Sequence, residues 1–276
     1  MDYTKRFIVT PSEKVRLRNI DPGFTDKHER PEDVKQELTH YQERLRSLQQ
    51  LLYAGKEHAI LICLQAMDTG GKDGTINHVL GAMNPQGCKV VSFKRPSSEE
   101  LAHDFLWRIH RATPAKGEVM IFNRSQYEDV LVVRVHDLVS KNVWKSRYDQ
   151  INSFEEELVK NNIHVLKFFL HISKSEQLKR FKERLDDPAK QWKISEDDYK
   201  ERAFWEDYTS AYEDALSRCS TKKAPWFIIP ANHKWFRNLA ISRIVVERLE
   251  KLDMKTPAPS VDLKSILKQY HAAKKS

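Results

Sequence analysis

Five short apolar runs, parted by helical stretches, constrain this chain more than any other feature. Such an alternation builds βαβ units around a parallel sheet. The runs are HAILICLQ (58–65), CKVVSF (88–93), EVMIF (118–122), HVLKFFLHI (164–172) and APWFIIP (224–230). Each is almost continuously apolar, as expected of strands covered on both faces. Among the helical stretches, Val34, Leu38, Tyr41, Leu45, Leu48 and Leu52 recur at three- and four-residue spacing, with Gly55 placed to cap them. SSEELAHDFLWRIHRA (97–112) reads as one helix opened by Ser97 and Glu100, and SKSEQLKRFKERL as another opened by Ser173 and Glu176. WFRNLAISRIVVERLEKL (235–252) is the last.

No apolar run interrupts residues 175–222, which read as a helical excursion out of the sheet. Residues 1–30 read as an irregular arm, 31–252 as the core, and 253–276 as a basic tail. The stretch KSILKQYHAAKKS (264–276) has four lysines and no acid, and is expected to be loose or partner-bound.

A chain of 276 residues with 40% hydrophobic residues can bury a sizeable core. Cys63, Cys88 and Cys219 are few, odd in number and far apart, so neither a disulfide framework nor a zinc site is indicated. The first residues lack the apolar segment of a secretory signal, and no run approaches ~18 apolar residues. A cytoplasmic protein with no membrane partner is expected. Lys and Arg number 47 against 39 acids, a net charge of +8 that favours anionic partners without naming one.

The first apolar run leads into AMDTGGKDGT (66–75), where Gly70, Gly71 and Gly74 surround Lys72 and a helix follows. Ligands of open parallel sheets bind at the carboxyl ends of strands, and a helix N-terminus offers free N–H groups to phosphate. The general phosphate loop is G-x-x-x-x-G-K-[ST]. Here Ala66 replaces the first glycine and Asp73 the hydroxyl residue. The departures leave two readings open, a phosphate loop and a structural turn.

LQAMDTGGKDGT (64–75), GEVMIFNRSQYEDVLVVRVH (117–136), KFFLHISKSEQLKRFKERLDDP (167–188) and APWFIIPANHKWFRNL (224–239) together resemble the polyphosphate kinase type 2 family, over roughly residues 31–250. The resemblance implies a thymidylate-kinase-like P-loop kinase, three layers α/β/α with a parallel five-stranded sheet, and a lid at 175–222. It implies Mg²⁺-dependent phosphoryl transfer between inorganic polyphosphate and adenine nucleotides, with guanine nucleotides left open. The motif FNRS-x-YED resembles the subgroup that accepts AMP as well as ADP, through Asn123 and Glu128. A homo-oligomer, dimer or tetramer, is expected, and no nucleic-acid partner. Two alternatives stand beside this: an ATP-dependent nucleoside monophosphate kinase of the same fold, and a non-enzymatic binder of nucleic acid or polyphosphate.

Phosphoryl transfer requires charge neutralisation and in-line placement more than covalent help. Asp68 and Asp129 are the expected metal-associated carboxylates, Asp129 because Asn123 is neutral where many such enzymes carry an aspartate. Lys72 and Arg124 are expected on the transferring group. Lys94 and Arg95 follow the second strand at the same edge of the sheet. Arg180 and Arg184 lie i,i+4 on one lid helix, where guanidinium forks clamp phosphate. Lys190 and Lys193 extend that charge: residues 174–193 hold seven Lys/Arg and four acids, a net of +3. Solvated helix charge is the alternative for each of these lid residues, but together they form the string of cations a polyanion requires.

Overall fold

The computed structural model describes residues 1–274. In chain order its elements are α1 (Tyr3–Phe7), α2 (Lys35–Gly55), β1 (Ala59–Ala66), α3 (Lys72–His78), β2 (Cys88–Ser92), α4 (Ser98–Leu101), α5 (Trp107–Arg111) and β3 (Val119–Asn123). Then follow α6 (Val132–Val135), α7 (Lys141–Lys160), β4 (Ile163–His171), α8 (Lys174–Asp186), α9 (Glu196–Ala203), α10 (Trp205–Cys219), β5 (Trp226–Pro230), α11 (Lys234–Glu250) and α12 (Leu263–Ala273).

The five strands form one parallel sheet in the order β2-β3-β1-β4-β5. All eight residues of β1 are buried, because the strand is flanked on both edges and covered on both faces. Its pleat divides the core. Ile60, Ile62 and Leu64 join Val119 and Ile121 in a large cluster that takes in α2 and α11. Leu61 and Cys63 turn the other way, to Met120, Phe122, Ile109 of α5, and Phe154 and Leu158 of α7. This is the expected α/β/α layering.

Four details depart from the sequence reading. β2 lies at the sheet edge, so Lys89, Val90 and Ser92 are exposed rather than covered. The stretch 97–112 is two short helices, because the Asp104 side chain accepts from the Leu106 N–H at 2.9 Å and turns the chain between them. Ser97 and Glu100 do form the reciprocal capping box. Helix α7 was unforeseen, although Trp144, Tyr148, Ile151 and Leu158 are its buried stripe. Finally, α10 buries Ala211, Tyr212, Ala215, Leu216 and Cys219, so it belongs to the core, whereas no residue from 187 to 204 is buried.

The arm packs along the far edge of the sheet. Val9 N–H donates to the Trp226 carbonyl at 2.8 Å, and Tyr3 and Phe7 are buried. At the other end α12 presents Leu263, Ile266, Leu267 and Tyr270 to solvent. Lys275 and Ser276 of the basic tail lie outside the described residues. Among the described residues no helix is long and apolar enough to cross a membrane.

Candidate active site

Strand β1 ends at the centre of the sheet, and the glycine loop turns there into α3. Gly70 has no room for a side chain: a Cβ would lie 2.4 Å from that of Ala66. Gly71 caps α3 at φ 104°, a conformation open to glycine, and a Cβ there would lie 1.9 Å from Arg237 Nη1. The Lys72 ammonium folds back to the Ala66 carbonyl at 3.3 Å. Burial, and then the neighbouring Arg124, hold its pKa below the ordinary lysine value.

Opposite the loop, the chain leaves β3 through Asn123 and Arg124. The Asn123 amide donates to Asp73 Oδ1 at 2.9 Å. Arg124 adopts the left-handed φ of 65° and places Nη2 3.4 Å from Asp68 Oδ1. Asp68, Lys72, Asn123 and Arg124 are thus gathered as the sequence implied.

The next two residues exchange their expected places. They sit in a 3₁₀ turn, Gln126–Val130, where successive side chains point about 120° apart. Glu128 faces the loop, near Arg124, Lys72 and Asp68, and burial raises its pKa against the pull of the two cations, with the Asp68 charge adding to the rise. Asp129 faces away and pairs with Arg147 at 3.1 Å, which also donates to the Asp129 carbonyl at 3.0 Å. The carboxylate that meets Asp68 is therefore Glu128, not Asp129.

Arg180 is a second correction. It is almost wholly buried, donating to the carbonyls of Thr69 (2.9 Å), Ala231 (2.5 Å) and Asn232 (3.1 Å) and to Glu176 (2.8 Å). Its fork braces the glycine loop against the β5–α11 connection instead of standing ready for an anion. Arg184, one turn on, donates one bond to the Lys193 carbonyl at 2.8 Å and faces the loop cavity. Lys190 pairs with Asp187 at 2.6 Å and lines the same cavity, as do Lys193 and Lys94.

Two cavities open on either side of this centre. One, of about 840 Å³, runs over the glycine loop and carries nine Lys/Arg side chains against four carboxylates. The other, of about 470 Å³, holds Glu128, Arg95 and Arg202 among His136, Trp205, Tyr208 and Tyr212. They share two residues, Asp68 and Arg124. The sequence reading missed several of these. Tyr208 donates to Glu201 at 2.7 Å, and Glu201 lies 3.0 Å from the His136 ring. Gln177 donates to the Asp68 carbonyl at 3.1 Å, and Arg202 to Gln177 at 2.8 Å. Arg237 lies against the glycine loop itself. Tyr208, Glu201 and Arg202 lie outside the stretches that carry the resemblance, whereas His136, Gln177 and Arg237 lie within them without having been singled out.

Residues 28–257 match the family described as Polyphosphate kinase 2 (PPK2). An AMP/ADP-polyphosphate phosphotransferase of Meiothermus ruber is 48% identical over 264 residues, 95% of this chain and 99% of that one. An ADP-polyphosphate phosphotransferase of Rhodopseudomonas palustris is 46% identical over 270 residues, 92% of each chain. The crystal structure of polyphosphate kinase 2 from Arthrobacter aurescens TC1 superposes with a TM-score of 0.94 at 40% identity, covering 100% of this chain and 98% of that one. With its central strand, glycine loop and parallel five-stranded sheet, the chain belongs to the polyphosphate kinase 2 family.

Proposed function

We propose that the protein transfers a phosphoryl group between inorganic polyphosphate and AMP or ADP. One observation carries the reading: two cavities of unlike chemistry meet at Asp68 and Arg124. The strongly cationic one over the glycine loop suits a polyanionic donor. The mixed one, with aromatic rings beside Arg95, Arg202 and Glu128, suits a nucleotide acceptor.

An acceptor phosphate is already largely ionised near neutral pH, its second pKa being roughly 6, so no general base is required. Charge on the transferring group is met by Lys72, by the helix N-terminus behind it, and by Arg124, which touches both cavities. Arg184, Lys190 and Lys193 line the donor cavity from the lid side. Among the described residues no three ligating side chains gather into a closed metal cage. Asp68 and Glu128 nonetheless fit Mg²⁺, which binds through one or two carboxylates, substrate phosphates and water. When bound, the ion would neutralise phosphate charge, and these two side chains would hold it.

Incubation with AMP or ADP, Mg²⁺ and long-chain polyphosphate, with no ATP, tests the proposal. Formation of the higher phosphate is expected. Phosphorylation that requires added ATP would overturn the donor assignment.

A further inference from the structure

Arg237 is 2% exposed, yet among the described residues no carboxylate pairs with its guanidinium. Its hydrogen bonds go to a neutral partner, the Asn238 side chain, from Nε at 3.2 Å and Nη2 at 2.8 Å. Among the described residues Nη1 has no hydrogen-bond acceptor. The group lies in the wall of the donor cavity, against the two glycines that admit it. A Cβ on Gly71 would meet Nη1 at 1.9 Å, and one on Gly74 would meet Nη2 at 3.0 Å. Those glycines therefore do more than wrap a phosphate; they make room for an arginine at the start of α3. A second guanidinium, Arg180, flanks Gly71, with Nη1 3.7 Å from the position of that same Cβ.

Burying a charge without a counter-charge is costly, and proteins tolerate it where a ligand supplies the missing partner. Here burial, and then Arg180, depress the Arg237 pKa to about 9, so the strain falls on the charged form that is present at neutral pH. Glu183 of this wall is engaged with Lys234, and Glu176 on the same helix with Arg180.

We propose that Arg237 is a donor-phosphate ligand, its free Nη1 taking an oxygen of an inorganic polyphosphate seated on the glycine loop. The inference rests on the polyphosphate reading above and adds to it a residue from the first turn of α11. Polyphosphate then completes the electrostatics of the fold, and the loop is held between two guanidinium groups, Arg180 on its Thr69 carbonyl and Arg237 on its bound anion. A residue that merely filled space beside the glycines would need no charge.

Arg237→Met keeps the bulk and removes the charge. Without anion, its melting temperature should equal or exceed that of the parent. The stabilisation given by inorganic tripolyphosphate alone should be largely lost. KM for polyphosphate should rise at least tenfold, with KM for ADP unchanged. A full tripolyphosphate shift and unchanged polyphosphate KM in this variant would overturn the proposal and leave Arg237 a packing residue. Should the Met variant not fold, Arg237→Lys decides: a several-fold rise in polyphosphate KM supports direct contact, and a parental KM rejects it. The two readings fail separately. A parent with no polyphosphate-driven phosphorylation, yet stabilised by tripolyphosphate through Arg237, loses the function and keeps the site. An active parent matched by the Met variant loses the site and keeps the function.

Discussion

The amide of Asn123 donates to the carboxylate of Asp73 at 2.9 Å, tying the end of β3 to the first turn of α3. Asp73 stands where phosphate loops place a metal-holding hydroxyl, and here it is a latch that also faces the positive end of the helix. Asn123→Asp sets two carboxylates against each other. At pH 7 the variant should lose about 1 kcal/mol, roughly 2 °C in melting temperature, and recover it below pH 4 as the pair takes up a proton. Equal melting temperatures across that range would show the latch to be idle.

Lys72→Ala and Asp68→Asn should each lower kcat by roughly a hundredfold or more while circular dichroism stays native. Both side chains lie at the loop, outside the apolar core. Turnover near the parental rate in either variant would remove that residue from the site.

Arg180 and Arg184 share a helix face but answer to different measurements. Arg180→Lys abandons buried carbonyls of Thr69, Ala231 and Asn232, so a loss of stability of about 2–4 kcal/mol is expected. Arg184→Lys leaves one carbonyl bond to replace and should chiefly lower kcat, with melting within about 1 °C of the parent. Denaturant titration beside steady-state kinetics reads both, and the reverse pattern would exchange their roles.

Glu128, now the carboxylate facing Asp68, is the better placed of the pair to influence acceptor choice. Glu128→Asn should depress turnover with AMP well below that with ADP, by about tenfold in the ratio, corresponding to about 1.4 kcal/mol. Asp129→Asn should leave the ratio alone. An unchanged AMP/ADP ratio in Glu128→Asn, measured at saturating polyphosphate and Mg²⁺, would end the acceptor-choice idea.

Burial pushes the Asp129 carboxyl up to about 6, against the pull of Arg147. A folded pKa above the ordinary 3.8 means that the folded state holds the proton more tightly. Its contribution to stability is complete below pH 4 and is lost as pH rises through 6, about 3 kcal/mol in all. Asp129→Asn removes that titration, so unfolding free energy against pH should flatten between 4 and 6. A slope identical to the parent's would assign the titration to another group.

The layers of this fold were legible because each strand carries its own apolar run, although the β3–β4 crossover helix α7 went unread. Strand order was not, since nothing in CKVVSF distinguishes an edge from a centre. The loop, Lys72 and Arg124 stood in contiguous motifs and were found. Glu128 and Asp129 were transposed because a one-residue step in a tight turn decides which faces the loop, and pattern reading does not resolve it. Arg180 looked like a free clamp because the carbonyls that consume it come from residues 69, 231 and 232, remote in sequence. Arg237 was not singled out for the same reason: the glycines that receive it lie at 71 and 74.

The donor and acceptor cavities share only Asp68 and Arg124 among their lining residues. With polyphosphate in one and a nucleotide in the other, their exits need not coincide. A spent nucleotide could then depart while the long chain stays threaded, and a fresh one could enter beside the newly exposed end. On the proposed function, separate exits would favour processive transfer, with one polymer shortened through many turnovers before release and intermediate lengths scarce in the mixture.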